Sequence, residues 1–134
     1  MTFWICVAAA SGGAVGSLLR YAASRLAAAW TVSPFPWATL VVNVLGSFVI
    51  GIWAAYLTRR APSAPLEPPG IALWDAAIRV GVLGGLTTFS SFSLESILLL
   101  QKGHILLAAG NAGANVILGF AAAALGMAVI GLPR

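Results

Sequence analysis

The run Gly81-Val82-Leu83-Gly84-Gly85-Leu86-Thr87-Thr88-Phe89-Ser90-Ser91-Phe92-Ser93-Leu94-Glu95 carries the densest chemistry in the chain. Adjacent glycines precede paired threonines and serines. Glycine costs about 1 kcal/mol against alanine in a helix interior, and hydroxyls offer the backbone competing partners. A continuous helix is therefore disfavoured here. Within a bilayer, carbonyls freed by such a break must be satisfied by protein or by an ion, and discontinuous helices use them to hold hard cations. Phe89 and Phe92, at i and i+3, present rings to one side just beyond the expected break. A kinked helix with two lipid-facing phenylalanines is the plainer reading, and the density of hydroxyls argues against it.

Other polar residues fall on helical faces. Thr39, Asn43, Gly46 and Ile50 share one side of a second helix, and His104, Asn111, Asn115 and Gly119 line up on a fourth. Periodicity alone supports two readings of the asparagines equally: hydrogen-bonded glue between helices or the lining of a pathway. His104 stands at a helix start and reads as an interfacial residue. Gly12 with Gly16, and Gly13 with Ser17, form small-xxx-small surfaces suited to close helix packing. Arg20 lies well inside the first helix. Snorkelling to the headgroups is slightly favoured over lining an aqueous vestibule that attracts anions.

These residues need a membrane to act in. The chain has 134 residues, of which 60% are hydrophobic and only 7% charged. A soluble domain carries roughly 25% charged residues, so the composition predicts an integral membrane protein with almost no soluble part. A spanning helix needs about 20 mostly apolar residues, and four such runs are present, at approximately 3–29, 37–57, 73–100 and 104–132. They make one transmembrane domain over residues 1–134. Trp4, Trp30, Trp37 and Trp74 lie near the expected helix ends, where amphipathic rings prefer to sit. Ser33-Pro34-Phe35-Pro36 is a short turn, the proline-rich run from Arg59 to Gly70 an extended linker, and Gln101-Lys102-Gly103 a tight turn. The N-terminus lacks the basic region of a cleavable signal, so the first run is read as a permanent helix. Seven basic against three acidic residues give a net charge of +4, but no clustered basic face of the kind nucleic-acid binding needs. Cys6 has no partner and reads as a small buried hydrophobe.

Orientation is poorly determined. Four passes put Arg59, Arg60, Arg79 and Arg134 toward one side and Arg20, Arg25 and Lys102 toward the other, hardly the bias that the positive-inside rule needs. Insertion in both orientations is one consequence, and it would permit an antiparallel homodimer in which two chains supply the inverted copies.

Three strings together resemble the CrcB/Fluc fluoride channel family over nearly the whole chain. They are Gly12-Gly13-Ala14-Val15-Gly16-Ser17-Leu18-Leu19-Arg20-Tyr21, Thr39-Leu40-Val41-Val42-Asn43-Val44-Leu45-Gly46-Ser47-Phe48, and Gly84 through Glu95. The resemblance implies an all-α dual-topology antiparallel homodimer in a bacterial inner membrane, passing fluoride passively outward and conferring fluoride resistance. It implies a structural sodium ion at the dimer centre, held by backbone carbonyls of Gly84 and Thr87 of each chain. Phe89, Phe92 and Asn43 would line the anion pathway together with Thr88. Thr39 and Ser91 would form a polar track near Glu95, and Arg20 would sit in a vestibule. The face of the fourth helix bearing Asn111 and Asn115 would take part, without a fixed role for each residue.

The residue types suit that chemistry. Amide and hydroxyl groups are neutral donors that can replace a small anion's hydration, and conduction requires sites weak enough to release the ion. Phenylalanine edges carry the positive part of the ring quadrupole. The main rival is a small four-pass proton-coupled multidrug exporter, which needs a membrane-buried carboxylate. Only Glu67, Asp75 and Glu95 are acidic, and Glu95 alone fits that role poorly. An intramembrane lipid kinase would need metal-binding carboxylates and basic phosphate contacts that the chain lacks, so no enzymatic activity is expected.

Overall fold

The computed structural model describes residues 2–60 and 69–131, and every regular element among them is helical. Four helical stretches are long and apolar enough to cross a membrane: Thr2–Trp30, Trp37–Arg60, Gly70–Gln101 and Ile105–Ile130. The first two are the continuous helices α1 (Thr2–Trp30) and α2 (Trp37–Arg60). The third stretch is composite. It opens as α3 (Pro69–Asp75), widens into a π segment (Ala76–Leu83), returns to a short α4 (Gly84–Leu86) and resumes as α5 (Phe89–Gln101). The last is α6 (Ile105–Ile130).

The helix ends differ from expectation by a few residues. Arg59 and Arg60 close the last turn of α2 instead of opening the linker, where cations meet the partial negative charge of a helix C-terminus. Pro69 is the first residue of α3, a position where its missing N–H costs nothing. The rest of the expected proline-rich linker, Glu67 included, and the C-terminal Leu132 and Arg134 lie outside the described residues. Gly103, with φ +79°, makes the tight turn between α5 and α6, a left-handed conformation that glycine adopts without steric penalty.

Two helix pairs build the bundle. α2 and α6 make the most extensive contact, and α1 lies along the π segment and α4. In both pairs the backbones approach so closely that only glycine fits. A Cβ on Gly16 would strike the Val82 carbonyl and stand 2.8 Å from the Leu86 nitrogen. A Cβ on Gly126 would strike the Phe48 carbonyl and stand 3.0 Å from the Ile52 nitrogen. The Gly12–Gly16 surface of α1 is therefore a packing surface, as its spacing predicts, whereas a Cβ on Gly13 would meet nothing within 4 Å. Cys6, expected to be buried, is exposed on α1, and so are Trp4, Trp30, Trp37 and Trp74. Such apolar exposure is natural where lipid, rather than water, is the solvent.

Candidate functional site

After Leu86 the chain leaves the helix for two residues. Thr87 (φ −82°, ψ 152°) and Thr88 (φ −152°, ψ 113°) are both extended. The cause lies in side chains. In an unbroken helix the Thr88 amide would bond the Gly84 carbonyl, and the Ser91 amide would bond the Thr87 carbonyl. Here the Thr88 N–H donates instead to Asn43 Oδ1 at 2.8 Å, and the Ser91 N–H donates to Thr88 Oγ1 at 3.1 Å. Thr88 is thus the N-cap of α5, a role for which threonine is well suited. Thr87 keeps one helical bond, its N–H to the Leu83 carbonyl at 3.0 Å, and its hydroxyl donates to the same oxygen at 2.8 Å. Its methyl group occupies the notch left by the absent side chain of Gly46 on α2.

Asn43 fixes this geometry from α2. Its Nδ2 donates to the Thr88 carbonyl at 3.2 Å while its Oδ1 takes the Thr88 N–H. One amide thereby pairs with both polar groups of Thr88, whose N–H is turned away from its helical acceptor. Nδ2 also donates to Asn115 Oδ1 at 2.7 Å. The relay continues as Asn115 Nδ2 donates to Asn111 Oδ1 at 3.0 Å, and Asn111 Nδ2 donates to Ser96 Oγ at 2.9 Å and to the Phe92 carbonyl at 3.3 Å. A single hydrogen-bonded ladder therefore joins α2, α6 and α5 to the extended pair.

Beside this ladder lies an open groove of about 460 Å³, lined among others by Asn43, Thr87, Thr88, Phe89, Phe92 and Asn115. The two rings meet edge to face with centroids 4.7 Å apart. Phe92 is buried and Phe89 is 77% exposed, so Phe92 forms part of the wall and Phe89 stands in the groove. Gly84 lines the same groove. Asn111 does not. It is fully buried, with 0% exposure, and both its donors and its acceptor serve the ladder.

The remaining sequence-predicted residues take separate places. Thr88 Oγ1 donates to Ser91 Oγ at 3.0 Å, and one turn further along α5 Thr39 Oγ1 donates to Glu95 Oε1 at 2.7 Å. Ser91 and Glu95, at i and i+4, share a face, and the hydroxyls continue from the groove toward a second opening lined by Thr39, Glu95, Ser24 and Thr31. Glu95 Oε2 is buried without a partner among the described residues. Arg20 corrects the snorkelling expectation. Its Nε donates to the Gly85 carbonyl at 3.0 Å, tying α1 to the last turn before the extended pair, because a carbonyl at that helix end lacks its usual donor.

One cluster was not anticipated. Trp53 Nε1 donates to Asp75 Oδ1 at 2.9 Å, and Arg79 Nε reaches the two Asp75 oxygens at 2.8 and 3.0 Å. The i, i+4 spacing of Asp75 and Arg79 was a readable signal of their pairing. Nothing in the sequence marked Trp53.

Residues 7–127 match the family described as "CrcB-like protein, Camphor Resistance (CrcB)". The chain is 42% identical to a protein of Aeromonas salmonicida named "Fluoride-specific ion channel FluC", over 97% of both chains. It is 42% identical to a protein of that name in Novosphingobium aromaticivorans over 90% of this chain and 91% of the other. A third so named, in Rhodospirillum rubrum, is 47% identical over 81% of this chain and 80% of its own. With a family match spanning the ladder, the extended pair and the groove, this multi-pass membrane protein belongs to the CrcB-like family.

Proposed function

We propose that the protein is a passive fluoride channel that lets cytoplasmic fluoride leave down its electrochemical gradient. The observation that carries this reading is the extended Thr87–Thr88 pair held by Asn43. It sets an aromatic edge-to-face pair and a file of neutral donors along one groove. Relatives named as fluoride channels support the choice of ion. Asn43, Thr88, Phe89, Phe92 and Asn115 would form the groove section of the route, and Ser91, Thr39 and Glu95 its continuation. Asn111 would steady it, and Arg20 would stand at its flank. Amides and hydroxyls replace part of the ion's hydration while binding it weakly enough for release. A negative interior drives a monovalent anion outward with about 2.3 kcal/mol per 100 mV, so no fuel is required. The protein is a transporter and not an enzyme.

The finer assembly belongs to the same proposal. Two chains in opposite orientation would face each other as an antiparallel homodimer in the bacterial inner membrane. The nearly balanced cationic residues of the two sides support this. The third stretch would be interrupted at mid-bilayer, which matches the extended pair's place between two helical halves. A structural sodium ion fits the donor set. The amides that would cover the Gly84 and Thr87 carbonyls are turned to side-chain acceptors, which leaves hard oxygen donors of the kind such a cation takes. Gly84 and Thr87 of each chain would hold the ion, which supplies positive charge beside the anion route and links the two chains.

The proton-coupled multidrug exporter finds little support: Asp75 is committed to Arg79 and Trp53, Glu95 stands alone with one oxygen taken by Thr39, and the named relatives are ion channels. Liposomes containing the purified protein should release fluoride and retain chloride. Phe89→Ala should depress fluoride release at least tenfold while leaving assembly intact. Fluoride retention by wild-type liposomes would refute the channel, and undiminished flux in the variant would refute the lining role.

A further inference from the structure

Among the described residues lining the groove, one carries a formal charge. It is Arg79. Its guanidinium grips the Asp75 carboxylate through Nε and Nη2, and the two partners differ sharply in exposure. The Asp75 side chain is only 7% exposed, whereas that of Arg79 is 48% exposed. The carboxylate, also held by Trp53 Nε1, thus sits behind the guanidinium, inside the bundle. An ion in the groove meets the positive member first.

The position along the groove matters equally. Asp75 is bonded to Trp53, which lies ten residues beyond Asn43 on α2. At 1.5 Å rise per residue that is about 15 Å along the helix. The charge therefore stands at one end of the groove and away from the Asn43–Thr88 contact, where the donors are neutral. A fixed cation at the narrow part would retain an anion. The same cation at a low-dielectric mouth raises the local anion concentration without forming a deep site.

Resting on the fluoride-channel reading, we propose that Arg79 is the electrostatic collector of the anion route. Asp75 orients its guanidinium. A merely structural ion pair would hold the third stretch against α2 but would leave the ionic-strength dependence of conduction unchanged.

The test measures fluoride efflux from liposomes at fixed fluoride, in about 20 mM and about 0.5 M potassium gluconate, an impermeant screening salt. Wild-type flux should fall as gluconate rises. The double variant Asp75→Asn/Arg79→Gln, which leaves no buried carboxylate unpaired, should conduct about five- to tenfold more slowly than wild type at low salt. At high salt the difference should shrink to within about twofold. Arg79→Lys, which keeps the charge, should retain most of the wild-type salt response. Wild-type flux that ignores salt would overturn the collector role even if no variant folds, and so would a variant deficit equal at both salts. A wild type that releases no fluoride at all is a different result, because it removes the channel itself.

Discussion

The two halves of the third stretch are held in opposite ways. Before the extended pair, the π segment and α4 lie backbone against backbone on the glycines of α1, with Gly85 receiving the Arg20 side chain at its carbonyl. Beyond the pair, α5 meets α6 through side chains, with Asn111 donating to Ser96 and to the Phe92 carbonyl. Close backbone contact tolerates no added atom, whereas a hydrogen-bonded contact tolerates shape change but not loss of polarity. Thr87 and Thr88 are the joint between the two regimes, and Asn43 belongs to neither half. The lesson is that the interruption separates two packing mechanisms as well as two helices.

That contrast can be broken most severely on the α1 side. Gly16→Val forces a branched side chain into the Val82 carbonyl and the Leu86 amide. Overpacking of this kind costs 1–3 kcal/mol and can cost more where the obstacle is backbone. About 3 kcal/mol or more of lost stability is expected, read from denaturant titration in detergent micelles. Gly13→Ala on the same helix supplies the control, because a Cβ there meets nothing within 4 Å. It should be neutral or stabilising by up to about 1 kcal/mol.

The joint comes next. Asn43→Ala leaves the Thr88 N–H and carbonyl without their side-chain partner. An unpaired buried group costs about 1–3 kcal/mol, so a loss of about 2 kcal/mol or more is expected, accompanied by faster hydrogen exchange at Thr88 and Phe89. Exchange rates equal to wild type would mean that Asn43 does not hold the extended pair. The smallest effect belongs to the α5–α6 side. Asn111→Leu removes an interhelical hydrogen-bond donor, and such bonds average about 0.6 kcal/mol in membrane bundles, with a maximum near 1.7. A cost below about 2 kcal/mol, under that of Gly16→Val, would bear out the ranking. A cost exceeding it would reverse the assignment of strong and weak halves.

Much of this was legible beforehand, for definable reasons. The four long helices follow from apolar runs of sufficient length, and the shared face of Thr39 and Asn43 follows from helical spacing. The glycine and hydroxyl content around Thr87 pointed to a departure from helix there. The π segment was not legible, since Ala76–Leu83 is apolar almost throughout, and a uniformly apolar run gives no contrast by which one helical period can be told from another. Nor was the Arg20–Gly85 bond, which joins residues 65 positions apart and depends on how α1 is seated. The asparagines divide in a way that periodicity could not reveal. Asn111 is fully enclosed, while Asn115 reaches the groove, although both lie on one face of α6.

The Asn43 amide has no idle donor. Its oxygen holds one peptide hydrogen, and its nitrogen serves both the Thr88 oxygen and Asn115. Any anion recruiting that nitrogen must detach it from one of those acceptors, so occupancy and loosening of the threonine joint become a single event. A rate-limiting transit at this point would therefore track the suppleness of the main chain as well as the width of the opening.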